Sequence, residues 1–141
     1  MNKLIDLDVL RYYDNKIKAL VDAKNVYSTS EQVIGKLDNG KLVYRKEFYV
    51  DSVNANTIKR IDYAVSSLER TVDLRGFNNI ENSNYEVPIN FFNIMQLING
   101  ETPNGQYCFI DKRQGIIEFY STWNVYNLKI TLEYTKSTDT V

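Results

Sequence analysis

The feature that most constrains this chain is a change of hydrophobic period near residue 26. Through 4–24 (LIDLDVLRYYDNKIKALVDAK) the apolar residues recur at helical spacing. From Tyr27 onward they alternate, with turn residues between the runs and no second long helical stretch. A chain of 141 residues has room for one sizeable core. The pattern predicts a mainly β fold: an N-terminal helical attachment or oligomerisation segment over 1–26, then one antiparallel, jelly-roll-like β-sandwich over 27–141.

Asp6 is the candidate N-cap of the helix, its carboxylate placed to accept from free first-turn amides. Leu10, Tyr13, Ile17 and Leu20 follow at spacings that lay them in one stripe, which Leu7 and Val21 widen. Asp14 and Lys18 form an i,i+4 pair, and Asn25 is the expected stop. A helix of about five turns is marginal alone in water, so its stripe must meet something. Two options stand: the chain's own β domain, or further copies in a short parallel bundle.

The β region opens with Val33–Leu37, a turn at Asp38-Asn39-Gly40, and a strand from Leu42 to Val50. Asn-Gly between two strand-like runs predicts a type I′ hairpin turn. Strands are expected over Ile58–Val65 and Thr71–Phe77, with an exposed loop over Asn78–Asn84. Tyr85–Ile94 is a further candidate, which Pro88 demotes to an edge or bulge. Gln106–Asp111 and Gly115–Tyr120 read as a second hairpin. Asn127–Thr135 has the cleanest alternation, with Leu128, Ile130, Leu132 and Tyr134 on one face and Lys129, Thr131, Glu133 and Thr135 on the other. A charge at Leu132 should therefore disrupt the fold far more than one at Thr131. Disorder is expected only at Ser137–Val141.

Composition narrows the chemistry. The 17 basic and 18 acidic residues are interleaved, for a net charge of −1, which argues against nucleic acid as a partner. The chain has no histidine, so the common general base and the commonest metal ligand are both missing. Its one cysteine, Cys108, sits in a strand-like run and reads as a buried, inert thiol. No phosphate loop, nucleophile elbow or metal motif occurs, so no catalytic, cofactor-binding or metal residue is assigned and the chain is read as a non-enzyme. Asp111 with Glu118 is the best carboxylate pair for glycoside hydrolysis, and such pairs arise by chance on a solvated sheet. The N-terminus lacks the apolar stretch of a secretory signal, and no run reaches the roughly 18 apolar residues of a membrane span. Synthesis in a cytoplasm without membrane insertion is the expectation.

The aromatic load is heavy: 11 tyrosines, six phenylalanines and one tryptophan. Strand propensity and core packing account for most of it. In Tyr120–Tyr126 (YSTWNVY), read as a loop, Tyr120, Trp123 and Tyr126 stand among small hydrogen-bonding residues. They form a candidate ligand surface, with core or subunit contact as the other reading.

Several segments resemble a β domain recurrent in bacteriophage virion proteins. Tyr27–Gly35 followed by Asp38–Lys46 is similar to its S-T-x-E-x-x-x-G strand, D-G-K-type turn and L-Y-x-K strand. Thr71–Phe77 resembles its I-D-x-x-G-type strand, and Pro88-Ile89-Asn90 its short proline-containing strand. Leu132–Asp139 (LEYTKSTD) resembles the ending L-x-Y-T-K-T-T-D. The helix Leu4–Leu20 resembles the leader found ahead of fibre and tail domains. The resemblance implies a homotrimer in the virion, in contact with other capsid or tail proteins, with a structural or receptor-binding role and no cofactor. The long shaft of such fibres is missing here, which favours a short fibre, spike or head fibre. Leu10, Tyr13, Ile17 and Leu20 are then the oligomerisation residues, and a host-surface glycan is a candidate partner. A carbohydrate-binding module using the Tyr120–Tyr126 aromatics is the alternative.

Overall fold

The computed structural model describes residues 7–25, 28–89, 99–101 and 104–139, and of residues 20–25 the backbone only. Helix α1 spans Leu7–Asn25. The strands are β1 Gln32–Lys36, β2 Leu42–Val53, β3 Thr57–Asp62, β4 Leu68–Ile80, β5 Glu86–Pro88, β6 Gln106–Asp111, β7 Ile116–Ser121 and β8 Val125–Lys136. They form two antiparallel sheets, ordered β1-β2-β8-β4-β5 and β3-β7-β6, whose inner faces share one core. The chain is mainly β, a sandwich preceded by one helix, as the change of period predicts.

The strand with the cleanest alternation lies at the middle of the larger sheet. β8 pairs with β2 through Tyr44↔Tyr134, Phe48↔Ile130 and Val50↔Leu128, and with β4 through Leu74↔Leu132 and Gly76↔Ile130. Leu128, Ile130, Leu132 and Tyr134 are fully buried. Tyr44 and Phe48 of β2 pack on them, with Cys108, Ile117 and Phe119 from the smaller sheet. Gly76 is needed where Ile89 folds over β4: an added Cβ would lie 2.4 Å from Ile89 Cδ1 and 2.7 Å from the Lys129 carbonyl oxygen. Lys46, which interrupts the apolar parity of β2, donates to the Tyr63 carbonyl at 3.0 Å while its ammonium lies 5.6 Å from the Phe48 ring. Its stem follows apolar surface and its charge finds an acceptor at the rim.

Several expectations are corrected. Thr131 and Thr135, on the polar parity of β8, are also buried. Beside Thr131 lies the wholly buried carboxylate of Glu47, which accepts from Thr131 Oγ1 at 3.1 Å and from the Tyr49 hydroxyl, with Lys129 Nζ at 3.5 Å. Arg45, Glu133, Arg75 and Asp73 continue the network across three strands. The outer face of the larger sheet is thus a packed ionic layer.

At the first hairpin, Gly40 takes positive φ (84°) and Asn39 does not. Gly40 N–H donates to the Leu37 carbonyl and Leu37 N–H to the Lys41 carbonyl, both at 2.8 Å. This is a three-residue loop closed by a glycine bulge, not a type I′ turn. Asn78, expected in an exposed loop, is fully buried in β4, which continues to Ile80. Of Tyr120–Tyr126, the residues outside strands are Thr122, Trp123 and Asn124. Ser137–Asp139 are held in place: Ser137 N–H donates to Ser67 O at 2.9 Å and the Tyr44 hydroxyl to Asp139 Oδ1 at 2.9 Å. β5 is a short edge strand at Pro88, and the remainder of the Tyr85–Ile94 candidate from residue 90 lies outside the described residues, as does Asp6.

These contacts set the response to charge in β8. Leu132→Asp places an unpaired carboxylate in the core and should yield insoluble or unfolded protein. Thr131→Asp, mild by sequence pattern alone, should also lower stability, because it removes a donor to Glu47 and faces it with a like charge. Denaturant midpoints check both; wild-type behaviour of Thr131→Asp would show that the Glu47 pocket relaxes freely.

Candidate functional site

Two regions carry the residues singled out from the sequence. The first is α1. Leu10, Tyr13 and Ile17 are 48%, 59% and 60% exposed. Every other described side chain of the helix, residues 7–19, is exposed as well. Leu20 completes the stripe in sequence, and its side chain lies outside the described residues. The structure does not show packing on the chain's own β domain for residues 7–19. Side-chain contacts along the helix include Asp8 with Arg11 at 3.9 Å, Lys16 Nζ 4.9 Å from the Tyr12 ring, and Tyr12 edge-on to Tyr13 at 5.6 Å, all between exposed residues. Contacts so exposed contribute little to stability.

The second region is the end of the sandwich where the β2–β3, β4–β5 and β7–β8 loops meet. Asn124 is its centre. Its Oδ1 accepts from Ala55 N–H at 2.7 Å, its carbonyl from Glu81 N–H at 2.9 Å, and its Nδ2 donates to Glu81 Oε2. Glu81 Oε1 also accepts from the Tyr126 hydroxyl at 3.1 Å. That bond with the carboxylate is the main cause holding the Tyr126 hydroxyl above its usual pKa. Asn56 N–H donates to the Ser121 carbonyl at 2.8 Å, and Thr122 N–H to the Gly105 carbonyl at 2.9 Å. Asn56 and Asn82 adopt positive φ in their loops, a conformation asparagine tolerates better than most residues.

The structure divides the three aromatics proposed as a surface. Tyr120 is buried on β7, stacked on Tyr107 at 5.2 Å and 12°, and donates to Asn56 Oδ1 at 3.0 Å. Tyr107 stacks in turn on Phe109, so Tyr120 ends an aromatic row on the smaller sheet. Trp123 and Tyr126 are 46% and 41% exposed. Trp123 N–H is held by Ser121 Oγ at 3.0 Å. Trp123 and Tyr126 are therefore the exposed members of the three, while Tyr120 is buried and braces the β2–β3 loop through Asn56.

Behind this end, Asn78 and Gln106 exchange two side-chain hydrogen bonds of 2.9 Å across the sheets, and Gln106 Nε2 lies 3.3 Å from Ser121 Oγ. Sequence reasoning missed Asn78, Gln106, Glu81 and the bracing by Asn124. The parity of Leu74, Gly76 and Asn78 is the one local signal that pointed to the first of them.

The other reactive groups have structural partners. Glu118 accepts from the Tyr107 hydroxyl at 3.1 Å and pairs with Arg60 at 3.2 Å. Asp111 Oδ1 accepts from the backbone of Arg113 (2.9 Å) and Gln114 (3.1 Å), capping the β6–β7 turn. Burial pushes the Cys108 thiol up to about 12. Among the described residues, no three His, Cys, Asp or Glu side chains gather as a metal site would require, and no helix is long and apolar enough to cross a membrane.

Asn124→Ala should cost about 1–3 kcal/mol, since it strips a partner from Ala55 N–H and from Glu81. An unchanged denaturant midpoint would show that water replaces both bonds. Alkali should also unfold the protein. Burial raises Tyr44, Tyr107, Tyr134 and Cys108 above their ordinary values. Their contribution is complete below the unfolded tyrosine and thiol range of about 8.5–10 and is lost as pH rises beyond it, because the unfolded chain ionises first. Melting temperature should fall from about pH 9 upward; a melting temperature flat to pH 11 would contradict this.

Comparisons of the chain with protein-family models, with curated proteins and with solved structures found no match in any of the three.

Proposed function

We propose that this chain is a structural component of a bacteriophage virion, a short fibre, spike or head-fibre part. In this reading α1 gathers three copies, or seats them on a capsid or tail protein, and the β-sandwich is displayed for adhesion to a host surface. The supporting observation is the stripe Leu10-Tyr13-Ile17, which is 48–60% exposed. A 19-residue helix is marginal in water without a packed face, and the 3-4 spacing of the stripe suits a bundle seam. The segment resemblances supply the setting. The role needs no catalysis: several copies on one stalk raise the effective concentration of weak contacts. The carbohydrate-binding alternative has its own support in the exposed rings of Trp123 and Tyr126.

Light scattering on the purified chain should give three times the 16.4 kDa chain mass. Ile17→Asp should lower it to a monomer without changing the melt of the sandwich. Among the described residues the core cluster falls within the β region, so protein lacking residues 1–26 should keep its β circular dichroism and its melting transition. A monomeric full-length chain at micromolar concentration sinks the assembly reading. Loss of the melting transition on truncation means that the helix belongs to the fold.

A further inference from the structure

The two ends of the sandwich differ in charge. At the end where Asn124 ties the loops, residues 51–58, 78–89, 104–107 and 120–127 contain no lysine or arginine, and Lys59 and Lys129 lie one step below it on β3 and β8. The opposite end carries Lys36, Lys41, Arg70, Lys112, Arg113 and Lys136 on its turns and strand ends. The Asn124 end instead presents carboxylates at Asp51, Glu81 and Glu86, exposed amides at Asn54, Asn56 and Asn82, and the rings of Trp123 and Tyr126.

We propose that this end binds a neutral glycan, with a pyranose ring stacked on the Trp123 indole and the chain passing toward Tyr126. The inference rests on the adhesion arm of the function proposed above and names its ligand class. Three physical points carry it. A sugar ring has an apolar C–H face and a hydroxyl edge, which an exposed indole bordered by amides matches. Three carboxylates on loops that carry no cation, with Lys129 below them already paired to Glu47, disfavour sulfated, phosphorylated or sialylated chains, whose charge would meet repulsion. The loops are already ordered by the bonds to Asn124, Asn56 and Gly105, so binding loses little conformational entropy. Tyr126 has its hydroxyl held by Glu81, which fixes the ring as a second platform. Asn54 and Asn82 side chains bond to no other described group, leaving their donors and acceptors for hydroxyls.

Trp123 is the single tryptophan of the chain, so intrinsic fluorescence reports the site directly. The full-length protein is titrated with neutral hexasaccharides of glucose, galactose, mannose and N-acetylglucosamine, and with a heparin-derived hexasaccharide. At least one neutral probe should give a saturable change below about 10 mM, a weak-binding range, and the sulfated probe none. By calorimetry, Trp123→Ala should weaken that binding about tenfold or more, the loss expected of an aromatic anchor. Trp123→Phe, which keeps a ring should the alanine variant fail to fold, should fall between the two. Arg113→Ala, at the far end, should leave binding unchanged. Binding of no neutral probe, binding unaffected in both Trp123 variants, or preference for the sulfated probe overturns the inference. Scattering on the same samples separates the two readings: a trimer without sugar binding ends this inference alone, and a monomer that binds sugar through Trp123 ends the assembly reading alone.

Discussion

Burial of one face of β8 is the interaction on which the sandwich depends. Leu128, Ile130, Leu132 and Tyr134 lie between β2 and β4 in the larger sheet and under Ile117 and Phe119 of the smaller one. Side chains of this size each contribute roughly 1.5–3 kcal/mol when fully buried. The neighbouring strands earn their order by pairing with β8: β2 keeps continuous register with it, and β4 follows it through three bulges. Those bulges let β4 bend around the core. The same central placement explains the polar face. Long side chains from β2, β8 and β4 crowd together there, and the carboxylates of Glu47, Glu133 and Asp73 balance the cations of Lys129, Arg45 and Arg75. A buried carboxylate such as Glu47 is tolerable because a hydroxyl from Thr131, another from Tyr49 and an ammonium from Lys129 replace its water.

The parts of the structure legible in the sequence are those set by period alone. The alternation in Asn127–Thr135 located the central strand and its buried face, and the 3-4-3 spacing in Leu10–Leu20 located a stripe in need of a partner. What local pattern could not show depends on contacts distant in sequence. Asn78 reads as loop by type, and only its mate Gln106, on the other sheet, makes it a core residue. Thr131 reads as solvated until Glu47 is placed beside it. Asn39-Gly40 serves two turn types, and the choice is made by how Leu37 and Lys41 pair. Tyr120 and Trp123 are three positions apart in a segment of uniform character. Pairing of Tyr107 with Tyr120 extends β7 far enough to bury the first and release the second.

The candidate functional regions differ in kind. The stripe of α1 is apolar, lies on a helix whose nearest strand is β1, and has exposed side chains throughout its described length. The braced loop end lies where β2, β4, β6 and β7 meet their loops, and it is polar, aromatic and tied to the core through Ser121, Gln106 and Asn78. An element that associates and a surface that recognises make opposite demands. The first gains from exposed apolar area awaiting a partner, and the second from rigidity already present before contact. Under the function proposed above, separating the two along the chain lets each demand be met.

The Asn78–Gln106 amide pair has a consequence for how the two sheets can be arranged. Apolar side chains meeting across a sandwich are tolerant of sliding, since one methyl replaces another at little energetic difference. A ring of two amide hydrogen bonds is not. Each amide turns one N–H and its carbonyl oxygen toward the other, and both bonds form together only at one offset of β6 against β4. Any displaced packing leaves two buried amides unsatisfied. The pair therefore works as an alignment key between sheets: it adds modestly to the depth of the native state while raising the energy of its neighbours. Because the key stands directly behind Ser121, it also sets where the loop bearing Trp123 emerges from the fold.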